Sequence, residues 1–363
     1  MKKKIITIVS VVVILVVVLA ACFIGKYFTR FQTIGTIEKL TDYEDYNLYR
    51  MDVKYDYSVQ DVIDYGITDT QSFVNAILKE ALPILPVHID VPDFGCSAFT
   101  MEDVDGNVLM GRNYDFKLDT SAMLVYCTPK NGYRSVAFAA LDNLSANHPE
   151  EGLSKKLACI AAPFVCLDGM NEKGVSIAVL TLDSEPTVQN TGKETIGTSL
   201  AIRLVLDQAA TTQEAVDLLN SYDMLATAGR DYHFYITDAS GDGRVIEYDC
   251  DSPERTLTAT PSEEVTNFFV MYQDQVLPNQ KNGIYGHGRE RFDAIETILA
   301  ENEGNCTRDT GWEALMAASQ APNPEDVTSN TQWSILYDDT NLTAEVSLRR
   351  DWQNKTMFQL NAR

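Results

Sequence analysis

The chain has 363 residues, 45% of them hydrophobic, enough to bury the core of one large domain or two small ones. Its formal charge is −23, and because the first 30 residues hold five Lys or Arg and no acid, the remainder sets 24 basic against 52 acidic residues. That balance argues against a nucleic-acid partner, since phosphate binding needs a basic surface, and otherwise reads as acidic solubility.

From Ile5 to Ile24 the sequence IITIVSVVVILVVVLAACFI is apolar almost throughout. It follows Lys2, Lys3 and Lys4, and at about 20 residues it has the length of a bilayer-spanning helix. The lysines favour an N-inside orientation, so residues 1–30 are expected to anchor the protein on the extracytoplasmic face of a membrane. A competing pattern, Leu19-Ala20-Ala21-Cys22, has the form of a lipoprotein cleavage site with Cys22 lipidated. Phe23 and Ile24 carry the apolar run past it and favour the uncleaved anchor. The seven cysteines, at 22, 96, 127, 159, 166, 250 and 306, form no CxxC pair and no metal-type spacing with His88, His148, His233 or His287, so no metal site is indicated. Cys127, Cys159 and Cys166 lie in apolar runs, as small buried hydrophobes do. Cys96 differs, flanked by Gly95 and Ser97.

Residues 31–95 read as a separate segment. Short extended pieces over RFQTIGTIEKLTDYEDYNLYRMDVKYDYS precede a helix in TQSFVNAILKEALPILP, with Phe73, Ile77 and Ala81 on one stripe and Pro83 as its stop. From residue 96 on, strand-like runs alternate with turn signals: VLMGRNYDF, MLVYCTP, SVAFAAL, VSIAVLTL, HFYITDASGDGRVIEY, TNFFVMY and TQWSILYDDTNLTAEVSLRRD. Two stretches between them look helical, TSLAIRLVLDQAATTQEAVDLLNSY and GRERFDAIETILAENE. Many strands with a few long helices predict an α+β layered domain.

Asp105-Gly106 is a two-residue hairpin signal between SAFTMEDV and NVLMGRNYDF. With the turn there, Cys96 falls opposite Asp115, and ideal alternation puts Arg112 on the other face, so a bulge or strand end is needed before both reach the thiol. A thiol becomes a nucleophile with help from a nearby cation, which Arg112 offers, or a base. Were Cys96 the first residue of a processed chain, its own α-amino group, with an ordinary pKa of about 8, would supply that base.

Cys96 with Arg112 and Asp115 downstream resembles the N-terminal-nucleophile (Ntn) hydrolases of the choloylglycine hydrolase and penicillin V acylase family. GMNEKGVSIAVL is similar to that family's segment with an oxyanion-hole asparagine, here Asn171, and VTNFF to its second, here Asn267. GRERFDAI resembles the helix start that carries a late catalytic arginine, placed at Arg291 with Arg289 as the alternative, and TQWSILYD also has the family's look. The resemblance covers residues 96 to about 352. It implies an Ntn-hydrolase αββα sandwich with Asp115 holding the amino group of Cys96 and with Arg112 and Arg291 depressing the thiol pKa or positioning substrate. Each asparagine could equally serve as a turn residue, and either arginine as an ion-pair partner.

In the bile-salt and penicillin enzymes the nucleophile follows almost directly after the initiator methionine, whereas here 95 residues precede it. That is closer to the acid ceramidase and N-acylethanolamine amidase relatives, in which a pro-segment is removed ahead of the cysteine; Gly95 suits such a cleavage because it leaves the carbonyl open to the thiol. The expectation is a membrane anchor over 1–30, a pro-segment over 31–95 and a catalytic domain over 96–363. Its activity would be hydrolysis of linear non-peptide amides in N-acyl compounds, with a small-molecule substrate and no cofactor; a homo-oligomer is compatible with it. An acyltransferase of the same fold, or an uncleaved and inactive surface binding protein, are the alternatives. No G-x-S-x-G is present, and GHG at 286–288 lacks the third glycine of a dinucleotide loop.

Overall fold

The computed structural model describes residues 2–82, 94–116, 119–227, 229–281, 283–323 and 329–360. Helix α1 (Lys2–Ile34) runs unbroken for 33 residues. Along it Val11, Val13, Ile14, Leu15, Val17 and Val18 are each at least half exposed, whereas Tyr27, Arg30 and Thr33 are buried against the rest of the protein. Among the described residues no helix is long and apolar enough to cross a membrane. The expected anchor is therefore not established by the fold, and many side chains of the apolar run, Cys22 included, lie outside the described residues.

Within residues 31–95 the described strands and helices pack into the same sheet and core as the remainder. Strands β1 (Glu38–Lys39) and β2 (Leu48–Asp52) are followed by the short helix α2 (Val59–Asp64) and by α3 (Thr70–Ala81), the helix expected from its apolar stripe. Asp69 and Ser72 close a capping box at the start of α3, and Phe73, Ile77 and Ala81 are buried. Arg30 donates to the carbonyls of Glu80 and Ala81, a cation on the last turn of α3 that fixes the end of α1 to it. Pro83 and the sequence up to Asp93 lie outside the described residues.

In the remainder, β3 (Phe94–Glu102) and β4 (Val108–Phe116) form a hairpin, and β5 (Ala122–Cys127), β6 (Ser135–Ala140), helix α4 (Leu153–Ala158), β7 (Cys166–Asn171) and β8 (Ser176–Leu182) follow. The stretch expected as one helix splits into α5 (Thr198–Gln208) and α6 (Thr212–Asn220), because Thr211 caps a new helix through the Glu214 amide; the short parallel pair β9 (Thr195–Gly197) and β10 (Asp223–Leu225) flanks them. Then come β11 (Asp231–Thr237), β12 (Arg244–Tyr248), β13 (Leu257–Pro261), β14 (Glu264–Val265), β15 (Asn267–Phe268) and β16 (Gly286–His287). The expected strand TNFFVMY is thus only β15, and a 3₁₀ turn follows from Val270. Helices α7 (Arg289–Glu301) and α8 (Arg308–Ala318) precede β17 (Thr331–Asp338), β18 (Thr343–Leu348) and β19 (Lys355–Gln359).

Two sheets carry the fold. One has the order β1-β2-β5-β6-β7-β8-β11-β12-β13 and the other β14-β3-β4-β17-β18-β19. The N-terminal segment enters the first sheet through β2, which pairs in parallel with β5 from Leu48↔Ala122 to Asp52↔Tyr126. Strand alternation divides the second sheet between two cores. Phe99, Met101, Leu109 and Leu336 pack outward on Ile295, Leu299, Trp312 and Leu315 of α7 and α8. Cys96, Ala98, Met110, Tyr114, Trp333, Ile335 and Tyr337 face inward, into the core shared with the first sheet. Helix α5 covers the far side of the first sheet, so four layers result, helix, sheet, sheet, helix. Cys127, Cys159 and Cys166 are buried free thiols, as their apolar surroundings predict.

Candidate active site

The β3–β4 turn runs over five residues, Asp103 to Asn107, instead of two. The Asp103 carboxylate accepts from the backbone amides of Asp105 and Asn107, both at 2.9 Å, and the Asn107 carbonyl accepts from the Asp103 amide. This Asx-type arrangement outcompetes the tight turn, with Gly106 supplying φ +77°. The register shifts by one residue, so that Cys96 pairs with Tyr114, Ala98 with Arg112 and Gly95 with Asp115. A one-residue shift exchanges faces. Arg112 therefore shares the inner face with Cys96 without a bulge, and Asp115, expected opposite Cys96, stands opposite Gly95.

Cys96 is wholly buried, and burial pushes its thiol up to about 11 against the pull of the Arg112 guanidinium. The Asp115 carboxylate adds to the upward push by its charge. The Cys96 N–H donates to Asn267 Oδ1 at 3.0 Å, and the Cys96 carbonyl accepts from Arg291 Nη1 at 2.7 Å. Arg291 Nη2 also donates to Asn267 Oδ1 at 2.7 Å, and its guanidinium lies 3.7 Å from Asp115. The Asp115 carboxylate accepts from Gln320 at 2.7 Å and Thr331 at 2.6 Å; burial raises its pKa while Arg291 opposes the shift.

Local backbone sets these side chains. Asn267 and His287 pair across the two-stranded β15–β16 ribbon, placing Asn267 over the amide of Cys96. Arg291 lies in the first turn of α7, and Gly288 before it adopts φ +90°; a Cβ there would come within 2.5 Å of the Arg291 guanidinium. Arg289 turns away, to Asp293 and the Gln273 carbonyl, which leaves Arg291 as the arginine of the cluster.

Asn171 does not join these residues. It ends β7 at the turn into β8, where its side chain donates to the carbonyls of Leu206 and Ala209 and accepts from the amides of Lys173 and Val175. All its polar capacity is used in holding that turn, the turn-residue role that NEKG also allowed. The residue of this segment that does reach the cluster is Thr181: Asn267 Nδ2 donates to its carbonyl at 2.9 Å and lies 3.2 Å from its hydroxyl. Inner-face alternation along VSIAVLTL was the only sequence signal for it.

Asp168 was also unforeseen. It is fully buried, 3.4 Å from Arg112 Nε, and accepts from Tyr337 at 2.5 Å and Trp333 at 3.2 Å. Burial raises its carboxyl pKa and Arg112 pulls it back. TQWSILYD thus supplies two donors that hold the counter-ion of Arg112. Beyond Thr181 the chain continues to Asp183, which binds His287 at 2.7 Å and Arg230 at 3.1 Å at the wall of an open cavity of about 550 Å³.

This geometry can be set beside known proteins. Residues 96–254 match the sequence family described as linear amide C-N hydrolases, choloylglycine hydrolase family. Similar folds occur in a mutant conjugated bile acid hydrolase from Clostridium perfringens (15% identity, TM-score 0.55, covering 73% of this chain and 92% of that one) and in a second variant of it (16%, 0.53, 73% and 93%). Penicillin V acylase from Agrobacterium tumefaciens is also similar (17%, 0.50, 70% and 83%). The class is thereby an amidohydrolase acting on linear amides, and the mixed α/β fold is like that of these bile acid hydrolase and penicillin V acylase structures. The resemblance to the choloylglycine hydrolase family, read from five short motifs, is borne out over residues 96–254, where two of them lie.

Proposed function

We propose that the chain is the precursor of an N-terminal-cysteine amidohydrolase that cleaves the C–N bond of N-acyl compounds such as conjugated bile acids, penicillin V or fatty-acyl amides, with Cys96 as nucleophile. One observation carries this reading: the backbone nitrogen of Cys96 is held by a side-chain acceptor, Asn267, while its thiol faces Arg112 and its carbonyl faces Arg291. An acceptor so placed serves an α-ammonium as well as it serves an amide. In the activating step the thiol attacks the Gly95 carbonyl, the amide nitrogen takes up a proton and leaves as the new α-amino group, and water hydrolyses the resulting thioester to a Gly95 carboxylate. In each catalytic turn the α-amino group takes the thiol proton and the thiolate adds to the substrate carbonyl. The departing amine collects that proton, and water then frees the acyl group from sulfur. In this reading Asn267 Nδ2, which in the uncleaved chain donates to the Thr181 carbonyl and hydroxyl, would turn with that hydroxyl to the oxyanion.

The test is mass spectrometry of the purified protein combined with an amidase assay. Wild type should yield a fragment beginning at Cys96 and hydrolyse at least one N-acyl amide, whereas Cys96→Ser should remain at full length without activity. Activity in Cys96→Ser overturns the nucleophile, and an intact, inactive wild type favours a surface binding protein of the same fold. Placement outside the cell, through α1 or through a lipid on Cys22, belongs to the same proposal. It rests on the lysines ahead of the apolar run and on the exposed valines of α1.

A further inference from the structure

Glu264 sits on β14 opposite Phe99, at the edge of the second sheet beneath α7. It is only 8% exposed, and among the described residues its carboxyl has neither a hydrogen bond nor an ion pair. Burial, reinforced by Glu296, Glu263 and Asp293 and opposed by Arg289, pushes it up to about 7. A buried carboxyl without a donor is costly to keep unless something supplies one.

That carboxyl lines a cavity of about 770 Å³ between the β13–β14 corner and α7. Further along its wall stand Glu296 and Glu303, and between the acids lie the apolar faces of Phe292 and Leu299. The acids are dispersed: among the described residues no three His, Cys, Asp or Glu side chains converge as metal ligands. One compact ion could satisfy one carboxylate but not the row, whereas amine nitrogens separated by methylene chains match both the spacing of charges and the apolar surface between them.

We propose that this cavity is a binding site for an organic polyamine, one ammonium group seated on Glu264, others along Glu296 and Glu303, and methylenes against Phe292 and Leu299. The ligand would tie β14 to α7, the helix that carries Arg291, at a place on the opposite face of β3 from Cys96. Because the site is separate from the cysteine, its binding is measurable whether or not the hydrolase reading holds.

The experiment is calorimetric titration of the full-length protein with spermidine at pH 7.5 and low salt, followed by thermal melting at saturation. The expected result is saturable one-to-one binding with a rise in melting temperature, weakened roughly tenfold in Glu264→Gln and about two- to threefold in Glu303→Gln, an exposed site. Circular dichroism of Glu264→Gln should match wild type, since the glutamine keeps the shape. Absence of saturable binding, equal affinity in Glu264→Gln, or an equal thermal shift from Mg²⁺ or Ca²⁺ at the same concentration would each overturn the assignment.

Discussion

The side-chain nitrogen of Asn267 donates to the carbonyl of Thr181 at 2.9 Å, with the Thr181 hydroxyl 3.2 Å away, while its oxygen receives Cys96 and Arg291. Asn267 is thus the hub on which Cys96, Arg291 and the strand β8 converge. Asn267→Ala should lower kcat by roughly 10²–10³, the usual cost of an oxyanion donor. Thr181→Val, which keeps the shape and removes the hydroxyl, should lower it by roughly tenfold with KM nearly unchanged. Steady-state kinetics on any accepted N-acyl amide checks both.

Asn171→Ala should behave differently. Its amide holds two carbonyls and two backbone amides at the β7–β8 turn, so its loss should lower the melting temperature by several degrees and leave kcat in place. A fall of tenfold or more in kcat with unchanged stability would return Asn171 to the reaction.

Asp168→Ala removes the counter-ion of a guanidinium that is wholly buried. Breaking such a pair from one side leaves an uncompensated charge, and the expected loss is about 3–5 kcal/mol in urea unfolding. Asp168→Asn should cost less, because the amide oxygen still accepts from Tyr337 or Trp333.

These residues mark how far the sequence carried the reading. The α3 stripe, the layered α+β fold and the cluster of Cys96, Arg112, Asn267 and Arg291 follow from periodicity and motif. The hairpin register does not, because the two-residue signal Asp105-Gly106 competes with a longer loop that the Asp103 side chain stabilises, and only that balance decides which face Arg112 takes. Thr181 and Asp168 were illegible for another reason: each acts through a partner more than 50 residues away, and strand alternation alone does not single out either. Helix α8, with Gly311 in its interior, has a sequence too weak in helix signal to be read, although its Thr307–Thr310 capping box was there to find.

Stability should depend on pH through Glu264. Its folded value of about 7 lies above the ordinary 4.5, so the native state binds the extra proton; the contribution is complete below about pH 4.5 and is lost as pH rises through 7. The groups facing it are Glu263 beside it, Glu296, Asp293 and Arg289 on α7. In amine-free buffer Glu264→Gln should match wild type near pH 4.5 and exceed it at pH 8 by on the order of 2 kcal/mol, as melting at the two pH values would show. A variant no more stable than wild type at pH 8 contradicts the assigned shift.

The segment ahead of Cys96 should remain with the catalytic part after cleavage. Tyr57 donates to Asp207 at 3.0 Å, Tyr55 to the Ile160 carbonyl at 2.7 Å, and Asp207 pairs with buried Arg203 at 2.8 Å. Gel filtration of cleaved protein should give one peak containing both fragments, separable only in denaturant. Tyr57→Phe should destabilise by about 1–2 kcal/mol.

The parallel pairing of β2 with β5 has a consequence for the life history of the molecule. While the chain is whole, bringing β2 to β5 is a loop closure whose entropic cost grows only slowly with length. Were the chain severed before Cys96, the same assembly would become an encounter between two molecules, dependent on their concentration and opposed by dilution. The uncut chain would fold and refold alone, whereas the matured pair, once pulled apart, would not readily find its way back. Maturation would thus trade reversibility for activity, and the half-life of the mature enzyme would be governed by how slowly β2 lets go.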